Sequence, residues 1–578
     1  MTANPRIFLW IGLALVLWLN YEAWMRDYGA PAVVAPVVST STNGSVPSTA
    51  TPGGSLGTGV PQASTSSPSA DKGAATPAAA GSAAPLPSSP LEAATAGTSA
   101  DSGKIRVRTD VLDLDISLQG GTFERADLLR YPKVKGGSEL VRLMNGSADT
   151  LYLLQTGLTG PADSEHPTHL STFTSAQSDY QLGSGSELRV PLVWTDGKGV
   201  TVTKTYIFTP GSYRIGLEYQ VENHSSAPWQ AAMYAQILRN DPATQRSMFT
   251  TNVETYAFHG PAMYDGTKYR KLKITDEEDK KLSVEVSNGW IAALQHHFVG
   301  AVIPAPNEPY RLTLNAQGQE FRLTAAGPLK TVAEGQSAKL DQTLFVGPKL
   351  QAQLEKAGPR LELAADYGKY LTVLAKPLFW LLGKVHVLFN NWGWAIICVT
   401  FLLKLLFYPL SEASGRSMAK MKMLGPRIKS LQESYKEDRE KLGRAMMDLY
   451  KREKVNPVAG CLPMIIQIPV FLAFYWVLLE SVEMRQAPFA GWINDLSSRD
   501  PFFVLPAIMA AAMFTQYKLN PAPPDPIQAK VFMIMPFAMS LMFAFFPAGL
   551  VLYWVTNTLL SILQQWNINR RIEAAKKV

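Results

Sequence analysis

The sequence predicts a polytopic α-helical membrane protein that carries one large β-sandwich domain. Three observations predict it. Apolar residues gather at the extreme N-terminus and again after residue 370. The stretch between 104 and 350 alternates apolar and polar residues at period two, the pattern of half-buried strands. Basic residues crowd one loop, 411–457, and the C-terminal tail. Composition agrees: 17% of the 578 residues are charged and 47% are hydrophobic, where soluble chains carry about 25% charged residues.

Composition also excludes some function classes. The net charge of +7 would suit nucleic acid, but no basic groove with interleaved aromatics accompanies it, and DNA is not an expected partner. Cys398 and Cys461 both sit in apolar runs, without a CxxC pair or a His-rich stretch. Neither a disulfide framework nor a zinc site is expected.

The first element is a transmembrane anchor over 1–28. Ile7 to Leu19 is an unbroken apolar run behind Arg6. A cleavable signal peptide is the competing reading, since the run is short and Ala-Pro-Ala and Val-Val-Ala follow at 30–35. Trp10, Trp18 and Trp24 suit a retained span with an interfacial belt, and Arg6 places the N-terminus in the cytoplasm. Residues 29–103 form a linker of Ala, Ser, Thr, Gly and Pro. Between 29 and 100 only Asp71, Lys72 and Glu92 are charged, and nothing there can bury a core.

The β domain occupies 104–355. Leu112, Leu114, Ile116 and Leu118 alternate with polar residues and meet Gly120-Gly121. Val200, Val202, Tyr206 and Phe208 alternate up to the turn Thr209-Pro210-Gly211-Ser212, and Tyr213, Ile215, Leu217, Tyr219 and Val221 alternate back. Its histidines, at 166, 169, 224, 259, 296 and 297, have no spacing that demands a metal or a triad. The domain lies opposite Arg6, in the periplasm.

From 356 to 390 apolar residues recur at helical spacing. Lys369, Lys376 and Lys384 interrupt them, so this helix is expected to lie in the membrane interface. A second span at 391–410 runs from Trp392 to Tyr408 and is closed by Pro409. Four further spans follow within 458–570: Cys461–Leu479, Phe502–Tyr517, Val531–Phe546 and Ala548–Trp566, the last two joined by Phe546-Pro547-Ala548. With the anchor the total is six. The loop at 411–457 holds twelve basic and seven acidic residues, whereas 480–500 holds only Arg485 and Arg499 as basic residues. The basic loop and the tail at 571–578 are therefore cytoplasmic. The loop reads as a hairpin of two charged helices, broken near Gly443 or Pro426 and stopped at Asn456-Pro457. Arg439, Lys441 and Arg444, near its middle, are candidates for docking ribosomal RNA or a targeting factor, against solvation and topology as the plain reading of the same charge.

Lys404 interrupts the apolar run of the second span. A cation at mid-helix costs on the order of 3 kcal/mol on insertion scales, so it faces either a polar interior or snorkels to the interface, roughly 7 Å away at Pro409. Thr400 shares its face. Gln467 lies in the third span, and Tyr553, Asn557, Ser561 and Gln564 form a stripe on the last. Interhelical glue is the plain reading of such groups; lining a wet cavity is the functional one. No acidic residue in the five later spans pairs with Lys404, which weighs against an ion-coupled transporter or channel, the alternative reading of these spans. Thirteen of the 19 methionines fall between Met418 and Met542, an adaptable apolar surface.

The stretches Asn391-Trp392-Gly393-Trp394, Thr400 to Leu410 (TFLLKLLFYPL), Ser417-Met418-Ala419-Lys420-Met421, Lys454-Val455-Asn456-Pro457, Arg485-Gln486-Ala487-Pro488-Phe489 and Phe546 to Tyr553 (FPAGLVLY) closely resemble the YidC-type membrane protein insertases of Gram-negative bacteria. The resemblance covers nearly all of 390–570 in order, and the anchor, linker and large domain more loosely. It implies a periplasmic β-supersandwich without catalytic activity, and a five-helix insertase core enclosing a hydrophilic groove. The family's groove residues fall on Lys404, Thr400, Gln467, Tyr553 and Trp554, with Asn557 beside them. The implied partners are nascent membrane proteins, the Sec translocon and its accessory subunits, the ribosome or signal recognition machinery, and the lipid bilayer. The implied site is the inner membrane, and no cofactor is implied. One departure stands out: the groove cation is usually arginine, and lysine lacks the planar five-donor fork.

Overall fold

The computed structural model describes residues 103–241, 257–368, 371–435, 438–453, 462–519 and 526–576. The expected anchor, nearly all of the linker, the Asn456-Pro457 stop and Cys461 lie outside them. The alternating stretches become strands where the sequence predicts. Leu112–Ser117, Val200–Phe208 and Arg214–Asn223 are each extended, and the last two pair antiparallel from Val200 opposite Asn223 to Phe208 opposite Ile215. The described strands form two sheets. The larger has 11 strands and runs from Ser283–Ser287 at one edge, through Trp229–Asn240, to Asp179–Gln181 at the other; the smaller has 8 and runs from Tyr269–Lys271 to Leu188–Thr195. The inner faces bury one core that includes Phe123, Tyr206, Tyr219, Trp290 and Phe345.

Two details go beyond simple alternation. Gly120 and Gly121 both have φ near +65° (69° and 63°), and a Cβ on Gly120 would stand 2.2 Å from the His169 carbonyl oxygen, so this turn needs glycine for space as well as for conformation. On the outer face Asp113 is buried rather than exposed, because Arg106 and Arg125 cover it at 2.6 and 3.1 Å. Burial pushes its carboxyl up, and the two guanidiniums outweigh burial and hold it below the usual range.

The helical half is labelled α1 (Thr372–Phe389), α2 (Trp392–Leu406), α3 (Tyr408–Met423), α4 (Gly425–Ser434), α5 (Arg439–Arg452), α6 (Leu462–Glu480), α7 (Val504–Leu519), α8 (Pro526–Phe543) and α9 (Ala548–Lys576). α9 packs against α2, α3 and α7, and α1 packs against α2 and α6, around Ile396, Val399, Phe474, Met509 and Val551. Two of the stretches singled out in the sequence meet here. Asn391 caps α2 by accepting from the Trp394 amide at 3.2 Å and donates to the Phe489 carbonyl at 2.8 Å. A Cβ on Gly393 would lie 2.0 Å from the Phe489 ring. The Asn-Trp-Gly-Trp and Arg-Gln-Ala-Pro-Phe stretches are thus two sides of one contact. The start of α9 is tied to the same loop, with the Ala548 and Gly549 amides donating to the Ser498 and Leu496 carbonyls.

Several boundaries differ from expectation. α2 ends at Leu406, and α3 restarts at Tyr408 with a 63° bend, because proline is tolerated in a helix's first turn. Gly443 lies inside α5, whose start is capped by Asp438 accepting from the Lys441 amide. A break falls beside Pro426, the other expected position, with α3 ending at Met423 and α4 starting at Gly425, so the described residues of the basic stretch hold three helices where two were expected. α4 and α5 pack through Leu424, Ile428 and Tyr450. Among the described helices α1, expected to be interfacial, is the one that meets the length and apolarity needed to cross a membrane unaided; α2 with α3 meets it as a bent pair. Among the described residues helix lengths alone do not return the expected six spans, although α6 and α8 run unbroken through Pro469 and Pro536.

The sandwich meets the helices at a polar seam. His296 Nε2 donates to the Leu479 carbonyl at 2.8 Å, and the His297 ring stacks on His296 at 3.8 Å. Lys349 and Glu480 pair at 3.9 Å, 3% and 5% exposed. Arg485 and Gln486 both donate to the Pro132 carbonyl at 2.9 Å. Burial pushes His296 down to about 3 and His297 well below the imidazole range. Both are therefore neutral when folded and take up protons when unfolded below about pH 6.5. Stability they contribute is full above that value and is lost as pH falls toward 3, on the order of 2 kcal/mol per histidine at pH 5. Hydrogen exchange at seam amides is expected to quicken between pH 7 and 5 beyond the intrinsic trend, and a His296→Gln, His297→Gln variant to flatten the response. Seam protection that is independent of pH in the unaltered chain would overturn this.

Candidate functional site

Three helices bring their polar residues together at one place. α2 carries Thr400 and Lys404 four residues apart, hence on one face. α6 contributes Gln467, and α9 contributes Tyr553 and Asn557, again four apart. These five line a small open cavity whose remaining walls are Leu403, Phe407, Leu410, Ser411, Ile466 and Val470. Thr400 is 1% exposed and back-bonds to the Ile396 carbonyl at 2.6 Å. Tyr553 is 2% exposed, its ring stacked on Phe474 at 4.5 Å, so its hydroxyl is fixed at the cavity wall. Lys404 Nζ donates to Ser561 Oγ at 2.7 Å, and Ser561 Oγ donates to the Asn557 carbonyl at 2.8 Å. Among the described residues no ion pair involves Lys404.

Trp554 is not part of this lining. It turns toward an aromatic cluster, edge-on to Phe471 at 4.8 Å and 5.2 Å from Phe543, because adjacent positions on a helix point about 100° apart. One polar lining residue, Ser411, was not among the expected groove residues; Ser561, on the expected stripe, bonds Lys404 from beside the lining. Ser561 continues the Tyr553–Asn557 stripe by one further turn. Ser411 lies seven residues after Lys404 but beyond Pro409, where the span was expected to have ended.

In the cytoplasmic-loop candidate set, Lys441 pairs with Asp438 at 3.1 Å and Arg444 pairs with Glu440, all on exposed surface. Of the sandwich histidines, His169 is buried and bonded to the Tyr234 hydroxyl at 2.6 Å, and His296 and His297 belong to the seam. Among the described residues no group of three metal-ligating side chains occurs.

Sequence comparison decides the family. A model described as 60Kd inner membrane protein matches residues 384–576, and one described as YidC periplasmic domain matches 104–381. The membrane protein insertase YidC of Thioalkalivibrio sulfidiphilus is 42% identical, over 99% of both chains. The chain belongs to the YidC family of membrane protein insertases. That of Pseudomonas aeruginosa is 41% identical, again over 99% of both, and that of Methylococcus capsulatus 48% over 83% of this chain and 87% of its own. A crystal structure of an active YidC insertase with its first transmembrane domain resolved aligns with 80% of this chain and 92% of its own, at 19% identity and a TM-score of 0.36. A galactose mutarotase related enzyme from Lactobacillus acidophilus aligns with 42% of this chain and 97% of its own, at 7% identity and a TM-score of 0.31.

Proposed function

We propose that the cavity lined by Thr400, Lys404, Gln467, Tyr553 and Asn557 is the groove through which this YidC-family chain, without catalysing a covalent reaction, receives the hydrophilic segment of a nascent inner-membrane protein. The observation that carries the reading is the convergence of polar residues from α2, α6 and α9 on one open cavity. A charged group crossing a bilayer costs several kcal/mol or more. A wet, polar cavity shortens the low-dielectric path and lowers that cost, while the apolar part of the same segment moves along exposed residues such as Phe401, Leu405, Ile468 and Leu472 into lipid. No GxxxxGK[ST] stretch occurs, so substrate burial, the ribosome or the membrane potential supplies the energy. The full layout in this reading has the anchor, the bent α2–α3 pair and α6 to α9 in the inner membrane, with both termini cytoplasmic and the sandwich periplasmic. α1 lies along the interface, its lysines engaged locally: Lys376 is tied to Glu362 at 3.3 Å and Lys384 sits over the Trp380 ring. Vesicles holding the purified chain and no Sec translocon are expected to insert a small single-span substrate that empty vesicles do not. Equal protease protection of the substrate in both would overturn the reading.

The α4–α5 unit serves as the docking site for the ribosome or a targeting factor in the same reading. The pairs of Lys441 and Arg444 are surface pairs, individually weak, and exchange readily for phosphate. Together with Arg439 they offer three cations on one helix start. Substituting the three by glutamate is expected to weaken ribosome–nascent-chain binding and to flatten its salt dependence, by about one unit of slope per lost phosphate contact, with the helical core intact. Unchanged binding across a salt series would return this charge to topology and solvation.

A further inference from the structure

We infer that Ser561 is a positioning residue: it tethers the Lys404 ammonium inside the cavity without neutralising it. The inference rests on the groove reading above. Lys404 is two residues from the end of α2, close enough for its four-carbon arm to reach the aqueous mouth. Nζ is instead held by Ser561 Oγ across the helix pair. A serine hydroxyl has one proton, and here it is committed to the Asn557 carbonyl. Its lone pairs are therefore turned to the ammonium, and the chain Lys404 to Ser561 to Asn557 has one direction only. An ammonium has three N–H groups; one is used, and the others remain for cargo.

The choice of a neutral tether has a consequence for specificity. A carboxylate at 561 would hold Lys404 more firmly but would cancel the charge that an incoming acidic side chain reads. A hydroxyl holds the cation and leaves its field in place. With lysine at this position the point matters more than it would with arginine, because a flexible ammonium has no planar fork to orient it. The ligand class so defined is a carboxylate-bearing segment of a translocating chain, read by charge at a fixed depth in the cavity.

The test uses the full chain in vesicles without the Sec translocon, and two versions of one single-span substrate whose translocated tail carries either Asp residues or Asn in their place. Ser561→Ala is expected to lower insertion of the Asp version by about two- to tenfold relative to the Asn version, and Ser561→Thr to restore the ratio. In a Lys404→Met background Ser561→Ala is expected to add no further loss of the Asp version. Acylation of Lys404 by a water-soluble amine reagent, read by peptide mass spectrometry, is expected to rise in Ser561→Ala. An equal loss for both tails, a further loss in the Lys404→Met background, or an unchanged Asp-to-Asn ratio would each overturn the tether. If Lys404→Met itself inserts both tails at the unaltered rate, the groove reading fails instead, and the two failures are told apart.

Discussion

Lys404→Glu is expected to abolish most Sec-independent insertion of a substrate with an acidic translocated tail, at equal protein level, while Lys404→Arg preserves it. The cation faces an open cavity and, among the described residues, has no acidic partner, so its charge is available to cargo. A hydrogen bond to a charged group contributes about 1.5–3 kcal/mol, and each 1.4 kcal/mol is tenfold. Removing the contact therefore lowers capture by roughly tenfold to a hundredfold. Reversing the sign adds repulsion to that loss and places a carboxylate against the Ser561 hydroxyl, whose proton is committed to Asn557. Arginine keeps the charge and brings more donors. Rates of protease protection in reconstituted vesicles measure all three chains. Full activity of the Glu variant would remove charge from the mechanism.

Lys349→Met is expected to loosen the seam between the sandwich and α6. Lys349 and Glu480 are both nearly fully buried, and burial pushes the Lys349 ammonium down to about 8 even with Glu480 beside it. Removing one partner of a buried pair costs about 3–5 kcal/mol, because the other is left as an uncompensated buried charge. At the seam this corresponds to hydrogen exchange faster by roughly a hundredfold or more. Replacing the surviving partner as well, in Lys349→Met with Glu480→Gln, removes the stranded charge and is expected to recover most of the protection. Unchanged exchange in the single variant, or no recovery in the double, would show that the 3.9 Å pair does not hold the seam. The same comparison bears on the sandwich as a whole: excising residues 110–320 while keeping the approach to α1 would strip His296 from the Leu479 carbonyl and the Pro132 carbonyl from Arg485, and would leave Lys349 facing Glu480 without cover.

Much of this was legible in the order of residues alone. Period-two alternation at 112–118, 200–208 and 213–221 marks strands because a strand's side chains alternate faces wherever it pairs. The face shared by Thr400 and Lys404, and by Tyr553, Asn557 and Ser561, is equally local, since helical geometry puts residues four apart together. The basic excess of 411–457 over 480–500 is a property of composition. Helix ends were less legible. Gly443 and Pro426 were both read as places for a break: a surface glycine costs only about 1 kcal/mol within a helix and Gly443 lies inside α5, whereas proline fits a first turn and α4 starts at Gly425, beside Pro426.

Contacts between elements distant in sequence were left to the tertiary structure. That Gln467 joins Thr400, Lys404, Tyr553 and Asn557 around one cavity, while Trp554, next to Tyr553, points away into Phe471 and Phe543, depends on how α2, α6 and α9 are rotated against each other. That rotation is set by the packing of apolar residues over the whole interface, which no single helix specifies. The same holds for the tether at Ser561, the Phe489 ring over Gly393 and the buried meeting of His296, Lys349 and Glu480. The sequence by itself determined which residue types were available on each face, because secondary-structure period is a local property; only the tertiary structure decided which faces meet, because that is decided by side-chain volumes and hydrogen-bond satisfaction summed across contacts hundreds of residues apart.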